Sequence, residues 1–309
     1  VGLGSWGYPE GGMGAVSDAI RDAALAAGAE VRLRAPVERI LTCAGRAGGV
    51  VLDGGEELHA DTIVTTIHPQ ITFLRQLDRR ELPDDFVTAI EQWKSRSGTV
   101  KINLALSELP DFTADPGTTA GLHHGGAIEL SHSVDYLEDA FQDARSGQAA
   151  RRPFSDGVIP TVFDRTLCPE GSHIMSLFTQ WVPESWADET DQAELEAYAD
   201  RVIAGYNELA PNFERSILHR QVLGPKEMAD ELGLIGGNIF HGELSANQLF
   251  HMRPAAGYAD YRSPIEGLYQ ASSATHAGGG VCGIPALLAV SQIARDRRRA
   301  RMRQRLRVG

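Results

Sequence analysis

The chain has 309 residues, 42% hydrophobic and 23% charged, which is enough apolar material for one large or two ordinary domains and excludes a largely disordered chain. With 29 basic and 41 acidic residues the net charge is -12, which excludes a nucleic-acid binder that relies on a broad basic face. The cysteines Cys43, Cys168 and Cys282 are far apart and lack metal-ligand spacing, so the expectation is no metal site and a reducing, cytoplasmic setting.

In chain order, Val16, Ile20, Ala24 and Ala27 recur at helical spacing and Gly28 supplies a left-handed stop. Val37 to Leu41, Gly49 to Leu52 and Glu57 to His59 are predicted strands joined by glycine turns, a small meander. Ile63 to Ile67 is a short apolar strand ended by Pro69. From Pro83 the texture changes. Asp84 to Lys94, Val134 to Arg145 and Asp188 to Leu209 are predicted helices. The predicted strands there are Thr99 to Leu106, Ala127 to Leu130, Gly157 to Phe163, His173 to Trp181 and Ile217 to Val222, with a Gly- and Pro-rich loop over 110–126. The tail returns to the first style, with a strand over Gly267 to Ala271, a glycine-rich turn, and a helix from Ile284 to about Arg301. The expected fold is therefore α/β, with residues 1–80 and 260–309 bracketing an inserted α+β domain over 81–259.

The longest apolar run, Ile284 to Ile293, is interrupted by Pro285, Ser291 and Gln292 and is about half the ~20 residues a spanning helix needs. No transmembrane segment is expected. The start has no initiator Met and no secretory pattern, so the sequence reads as part of a longer chain. Between Arg295 and Arg307 lie eight arginines and one aspartate. Binding to anionic lipid or RNA is the sharper reading of this run, but no aromatic residue interleaves the arginines for stacking, so a solvated helix end complementing the helix dipole is expected instead.

Gly2, Gly4 and Gly7 spell G-x-G-x-x-G. A dinucleotide site needs a strand before that motif and a helix after it, whereas here one residue precedes it and Tyr8-Pro9 follows. A nicotinamide dehydrogenase built on these glycines is therefore rejected. The segment Gly267 to Leu288 is more informative: a strand, small residues Ser272 to Ala274, glycines 278–280, and Gly283 before a helix. Such a turn bares N–H groups beside a positive helix end, which suits a phosphate or an electron-rich ring carbonyl; an ordinary turn has the same spacing. His241 and Glu243, two apart, would share one face of a strand, where one could orient or protonate the other or the two could simply satisfy each other. His123-His124 has no partner at metal spacing, and no metal is expected.

The segments Tyr8 to Gly14, Ala60 to Val64, Gly236 to Glu243 (GGNIFHGE) and Thr275 to Val281 (THAGGGV) together resemble the C-terminal part of FAD-dependent oxidoreductases related to phytoene desaturase. The resemblance covers nearly the whole chain. It implies a partial FAD-binding Rossmann-type domain with an inserted substrate domain, FAD as cofactor, a small-molecule substrate, and a dinucleotide-binding segment that lies outside this sequence. Carried over by position, it places Val37 beside the adenine, Ser272 and Ser273 near the phosphates and ribityl chain, and Gly280, Val281, Cys282 and Gly283 under the flavin ring. His241 and Glu243 become the candidate catalytic residues. Many relatives have glycine where this chain has Ser272 and Ala274, and proline where it has Ala277. If those positions need a positive φ, the turn would be strained. That departure, together with the absence of a genuine dinucleotide motif, motivates the rival expectation of a non-catalytic interaction protein that kept the fold.

Overall fold

The computed structural model describes residues 7–308, so Gly2 and Gly4 lie outside the described residues. In chain order the elements are α1 (Gly12–Ala26), β1 (Val37–Cys43), β2 (Arg46–Leu52), β3 (Glu57–His59), β4 (Ile63–Thr65), α2 (Pro69–Leu74), α3 (Asp84–Glu91), β5 (Thr99–Leu106) and β6 (Ile128–Leu130). They continue with α4 (Val134–Arg145), β7 (Phe154–Val158), β8 (His173–Gln180), α5 (Gln192–Leu209), α6 (Phe213–Ser216), β9 (Ile217–Leu223), α7 (Pro225–Leu232), β10 (Leu268–Gln270) and α8 (Ile284–Val308). Among the described residues no helix is long and apolar enough to cross a membrane.

Two compact units form, one from Val1–Val31 with Ser97–Leu232 and the other from Arg32–Arg96 with Gly233–Gly309. The bounds differ from the expected 1–80, 81–259 and 260–309. The first helix groups with the inserted part because its leading turn is tied there: Gly11 N donates to the Asp164 carboxylate at 2.7 Å and Tyr8 stacks on Phe163 at 5.2 Å. Residues 233–259 belong with 32–96 because their polar side chains are spent on that backbone. Asn238 donates to Arg96 O at 2.9 Å, and the Gln248 amide accepts from Lys94 N at 2.7 Å and donates to Lys94 O at 2.9 Å.

The first unit is built on a five-stranded antiparallel sheet in the order β6-β7-β8-β5-β9. Alternation along β5 buries Val100, Ile102, Leu104 and Leu106, and β8 adds Met175 and Leu177 to the same core. Helix α5 covers them with Leu195, Tyr198, Ala199, Val202 and Tyr206, the i, i+3, i+4 stripe of an amphipathic helix. The opposite sheet face is half-buried and polar, with Lys101 and Asn103 on β5 and Ser176 on β8. The strand expected over Gly157 to Phe163 instead occupies Phe154–Val158, and Pro160 begins a 3-10 turn. Proline lacks the N–H a ladder requires, so the strand ends before it.

In the second unit β1, β2 and β3 form the expected antiparallel meander. β4 and β10 pair in parallel, Ile63 opposite Leu268 and Thr65 opposite Gln270. This brings the end of the first segment beside the start of the last. Phe73, Phe86, Val87 and Ile90 of α2 and α3 pack with Ile265 and Leu268 beneath them. α8 follows the glycine turn and runs past the expected Arg301 to Val308.

Candidate flavin site

β10 ends at Gln270, and residues 271–283 form an irregular turn before α8. Its first half is self-bonded. Ser272 Oγ accepts from Ala274 N at 3.1 Å, while Ser272 O accepts from Thr275 N at 3.0 Å and from Thr275 Oγ1 at 2.8 Å. Neither Ser272 nor Ala274 has a positive φ. The strain expected from replacing glycine at these two positions is therefore absent, which removes one of the two motives for the non-catalytic rival. The second half is open and left-handed: Gly280 at φ 116°, Val281 at 52° and Gly283 at 66°. Residues 280–283 are exposed, Val281 at 82%. A Cβ built on Gly280 or Gly283 would meet nothing within 4 Å. A flat ring could approach this backbone without first displacing a protein side chain, so the residues fit a flavin. Val37 begins β1, and its carbonyl accepts from Gln76 Nε2 at 2.8 Å, which fixes the strand end where the adenine is expected.

The GGNIFHGE segment is not a strand. Gly236 and Gly237 are both left-handed at φ 67°, His241 is left-handed at 54°, and the run is a loop closed on Trp93. Asn238 Oδ1 accepts from Phe240 N at 2.9 Å and Gly242 N at 3.2 Å, and Trp93 Nε1 donates to His241 O at 2.8 Å. Two glycines are dictated by close approach, since a Cβ on Gly242 would enter the Trp93 indole and one on Gly236 would collide with Ser95 O.

His241 and Glu243 are therefore not a mutually satisfied pair on one strand face. Glu243 is bidentate with Arg96, Oε1 to Nε at 2.5 Å and Oε2 to Nη2 at 2.9 Å, and this guanidinium holds its carboxyl below the usual range. His241 is left with a buried Nδ1 that has no hydrogen-bond partner. Burial, then the positive charge of Arg253, lowers its pKa. Its ring lies 5.9 Å from that of His68. His68 accepts from Gln70 N at its Nδ1, capping α2, so its Nε2 carries the proton and donates to Ser95 Oγ at 2.7 Å. That tautomer cannot take a proton from Ser95, so the pair is not an activated serine. Burial drives His68 down to about 3, which keeps it neutral.

Two residues escaped the sequence reading. Arg253, 1% exposed, has no carboxylate partner among the described residues and spends its donors on five backbone carbonyls. These are Ser273 O at 3.0 Å, Phe240 O at 2.8 Å, Gln248 O at 3.0 Å, and Glu243 O and Gly242 O at 3.2 and 3.4 Å. Its guanidinium lies 5.2 Å from the Trp93 ring centre. One buried cation thus joins the GGNIFHGE loop to the turn that follows β10, and only its position before Pro254 hinted at a constrained backbone. In the first unit Lys101 bonds to Ser176 Oγ and to Leu177 O, and burial lowers its pKa to about 8, within reach of proton exchange near neutrality. A strand lysine flanked by apolar residues carries no such signal in the sequence.

Cys282 is exposed and Cys43, Cys168 and Cys282 are all unpaired. Among the described residues no His, Cys, Asp or Glu cluster could hold a metal ion.

Comparison with known proteins identifies the family. The chain is 40% identical over 300 residues to a pyridine nucleotide-disulfide oxidoreductase domain-containing protein 2 of Rattus norvegicus, covering 95% of this chain and 52% of that protein. It is 24% identical over 303 residues to a zeta-carotene-forming phytoene desaturase of Myxococcus xanthus, covering 96% and 53%. The chain thus spans about half the length of these curated relatives. Among solved structures, an oxidoreductase from Methanosarcina mazei matches with a TM-score of 0.59 at 19% identity, covering 93% of this chain and 55% of that one. A putrescine oxidase bound to putrescine matches at 0.55 and 17%, covering 92% and 53%. Both likenesses support the expected fold, a Rossmann-type FAD-binding architecture with an inserted sheet domain. The family described as "Flavin containing amine oxidoreductase" matches residues 2–285, and with nearly the whole chain inside that match, the chain belongs to this flavin-dependent oxidoreductase family.

Proposed function

We propose that the chain supplies the flavin-ring end and the substrate-facing sheet of an FAD-dependent oxidoreductase that removes hydride from a C–H bond of a small or lipophilic substrate. The observation that carries this reading is the open, left-handed turn over 280–283 between a parallel strand and α8. FAD, when bound, supplies the acceptor for the hydride, so the substrate is oxidised by two electrons as the flavin is reduced. Gly280 to Gly283 would hold the ring through backbone alone, with the N-terminal partial charge of α8 favouring the negative charge that reduction adds. Ser272, Ser273 and Val37 would hold the phosphates, ribityl chain and adenine. The half-buried face bearing Lys101, Asn103 and Ser176 would shield and orient the substrate. Lys101 is the group best suited to hold or accept a substrate proton near neutral pH, because burial has already lowered its pKa. On the second unit, which carries the flavin turn, His241 retains a buried ring nitrogen without a hydrogen-bond partner among the described residues, whereas Glu243 is committed to Arg96. The unpaired cysteines suit a reducing, cytoplasmic setting.

The test is FAD titration into the 309-residue protein, followed by flavin absorbance, for the native chain and Gly280→Val. Weak but saturable binding is expected from the native chain, because its relatives are about twice as long. Gly280→Val should abolish it; the added side chain meets no protein atom within 4 Å at its Cβ, but a β-branched residue is strained at φ 116°, so a small fall in melting temperature without flavin is expected alongside the loss of binding. Equal flavin binding by the two proteins, or none by the native chain, would refute the assignment of the ring to this turn.

A further inference from the structure

At the other end of β10, the second unit carries a cleft of about 310 Å³ between α8 and residues 262–269. Its charged lining is Arg262, Glu266, Asp296, Arg299 and Arg303. Both carboxylates are already committed. Asp296 accepts from Arg262 at 2.5 and 2.9 Å, from the Tyr269 hydroxyl at 3.1 Å and from Gln292 at 3.2 Å. Glu266 pairs with Arg46 at 2.5 Å. Arg262 is itself clamped between Asp296 and Asp260. What remains is Arg299 and Arg303, which have no ion pair or hydrogen bond among the described residues. They stand four apart on one face of α8, roughly 6 Å along its axis, with Arg295 one turn earlier on the same row. Like charges at this spacing repel, so an anion seated between two of them relieves a cost the helix otherwise carries.

We propose that this cleft is an anion site for a phosphate monoester, gripped by the guanidinium groups of Arg299 and Arg303. A carboxylate satisfies one guanidinium fork, whereas a phosphate offers three outer oxygens and can take a fork from each side. The cleft volume exceeds that of a phosphate alone, so the group is borne by a larger molecule, either a soluble phosphorylated metabolite or a lipid headgroup. The site is separate from the turn proposed for the flavin, because Arg299 and Arg303 lie about four turns or more along α8 from its start at Ile284, on the order of 20 Å or more at about 1.5 Å per residue.

Calorimetric titration of glycerol 3-phosphate into the 309-residue protein at low ionic strength, against matched chloride, tests the site. Sedimentation with vesicles of phosphatidic acid in phosphatidylcholine, against phosphatidylcholine alone, tests the headgroup source. Saturable binding at one site is expected from at least one probe, weakened about tenfold or more by Arg299→Gln and by Arg303→Gln and unchanged by Arg305→Gln. Arg305→Gln removes the same charge from the same helix outside the cleft. Binding only to phosphatidate vesicles, with that same dependence, assigns the site to headgroups. Equal weakening by all three variants would mean a diffuse basic tail and overturn the proposal, as would saturable binding of neither probe.

Discussion

Replacing Arg253 with methionine keeps an unbranched apolar stem against Trp93 and removes every donor. Three of the five carbonyl contacts are at or below 3.0 Å, and bonds to a charged donor contribute about 1.5–3 kcal/mol each. These values do not add, because one side chain makes all three and the freed loop can admit water. The substitution leaves no charge behind but several buried carbonyls without a donor, each costing about 1–3 kcal/mol where water cannot reach it, so a total of about 3–5 kcal/mol is expected here. At roughly 3 °C per kcal/mol for a unit of this size, the transition that unfolds the second unit should drop by about 10–15 °C. The rupture should be local first. Amides of 240–248 and of the turn after β10 should exchange faster well below the melting transition, because Arg253 is what joins these segments. Arg253→Lys keeps the charge but only three mobile donors on a narrower head, so an intermediate loss is expected. A melting temperature within about 3 °C of native for Arg253→Met, or full rescue by lysine, would refute the argument.

The other expectations concern titration and the candidate site. His68 is held neutral, with its pKa lowered to about 3 by burial, whereas the unfolded chain takes up that proton near 6.5. Between those values the unfolded state binds more protons, so stability present above pH 6.5 is lost as pH falls, at up to roughly 1.4 kcal/mol per pH unit. His68→Asn, which keeps a capping oxygen for α2, should show a shallower acid limb in melting temperature against pH; identical limbs would contradict the buried neutral imidazole. Glu243→Gln should lower the melting temperature through loss of the Arg96 pair, and His241→Gln should change it less. A collapsed flavin reduction rate with unchanged melting in either variant would instead make that residue catalytic. Burial lowers Lys101 to about 8 against 10.5 in the unfolded chain, so stability should rise as pH rises between those values, and Lys101→Met should flatten that alkaline limb; an unchanged limb would contradict the buried amine.

Much of the architecture is legible from periodicity. β5 alternates buried Val100, Ile102, Leu104 and Leu106 with half-buried partners, and α5 buries its residues at helical spacing, so each announces its period before any contact is known. The turn around Gly278 to Gly283 is legible because positive φ selects glycine, and three glycines there have it. Periodicity fails where the chain is neither helix nor strand. α2, six residues started by Pro69 and capped by His68, is too short to show a repeat, and its proline reads equally as the end of a strand. The unit bounds are hidden for a related reason, since they follow from single hydrogen bonds such as Asn238 to Arg96 O that join residues 142 apart in sequence.

The GGNIFHGE segment shows why a specific motif can still mislead about chemistry. An imidazole and a carboxylate two residues apart suggest a functional couple only if the backbone between them is extended. Here Gly242 is required against the Trp93 indole, Asn238 turns the chain by accepting two amides, and His241 is left-handed, so the two side chains part. The residues that make the segment recognisable are largely those that let a loop close over Trp93 and present five carbonyls with those of its neighbours to Arg253. Backbone carbonyls are invisible in a list of side chains, so the pattern points at His241 and Glu243 while the group that gathers the loop is an arginine ten residues further on. The turn that follows β10 is thus tied in its first half, through Ser273 O, to a cation that the sequence motifs do not include.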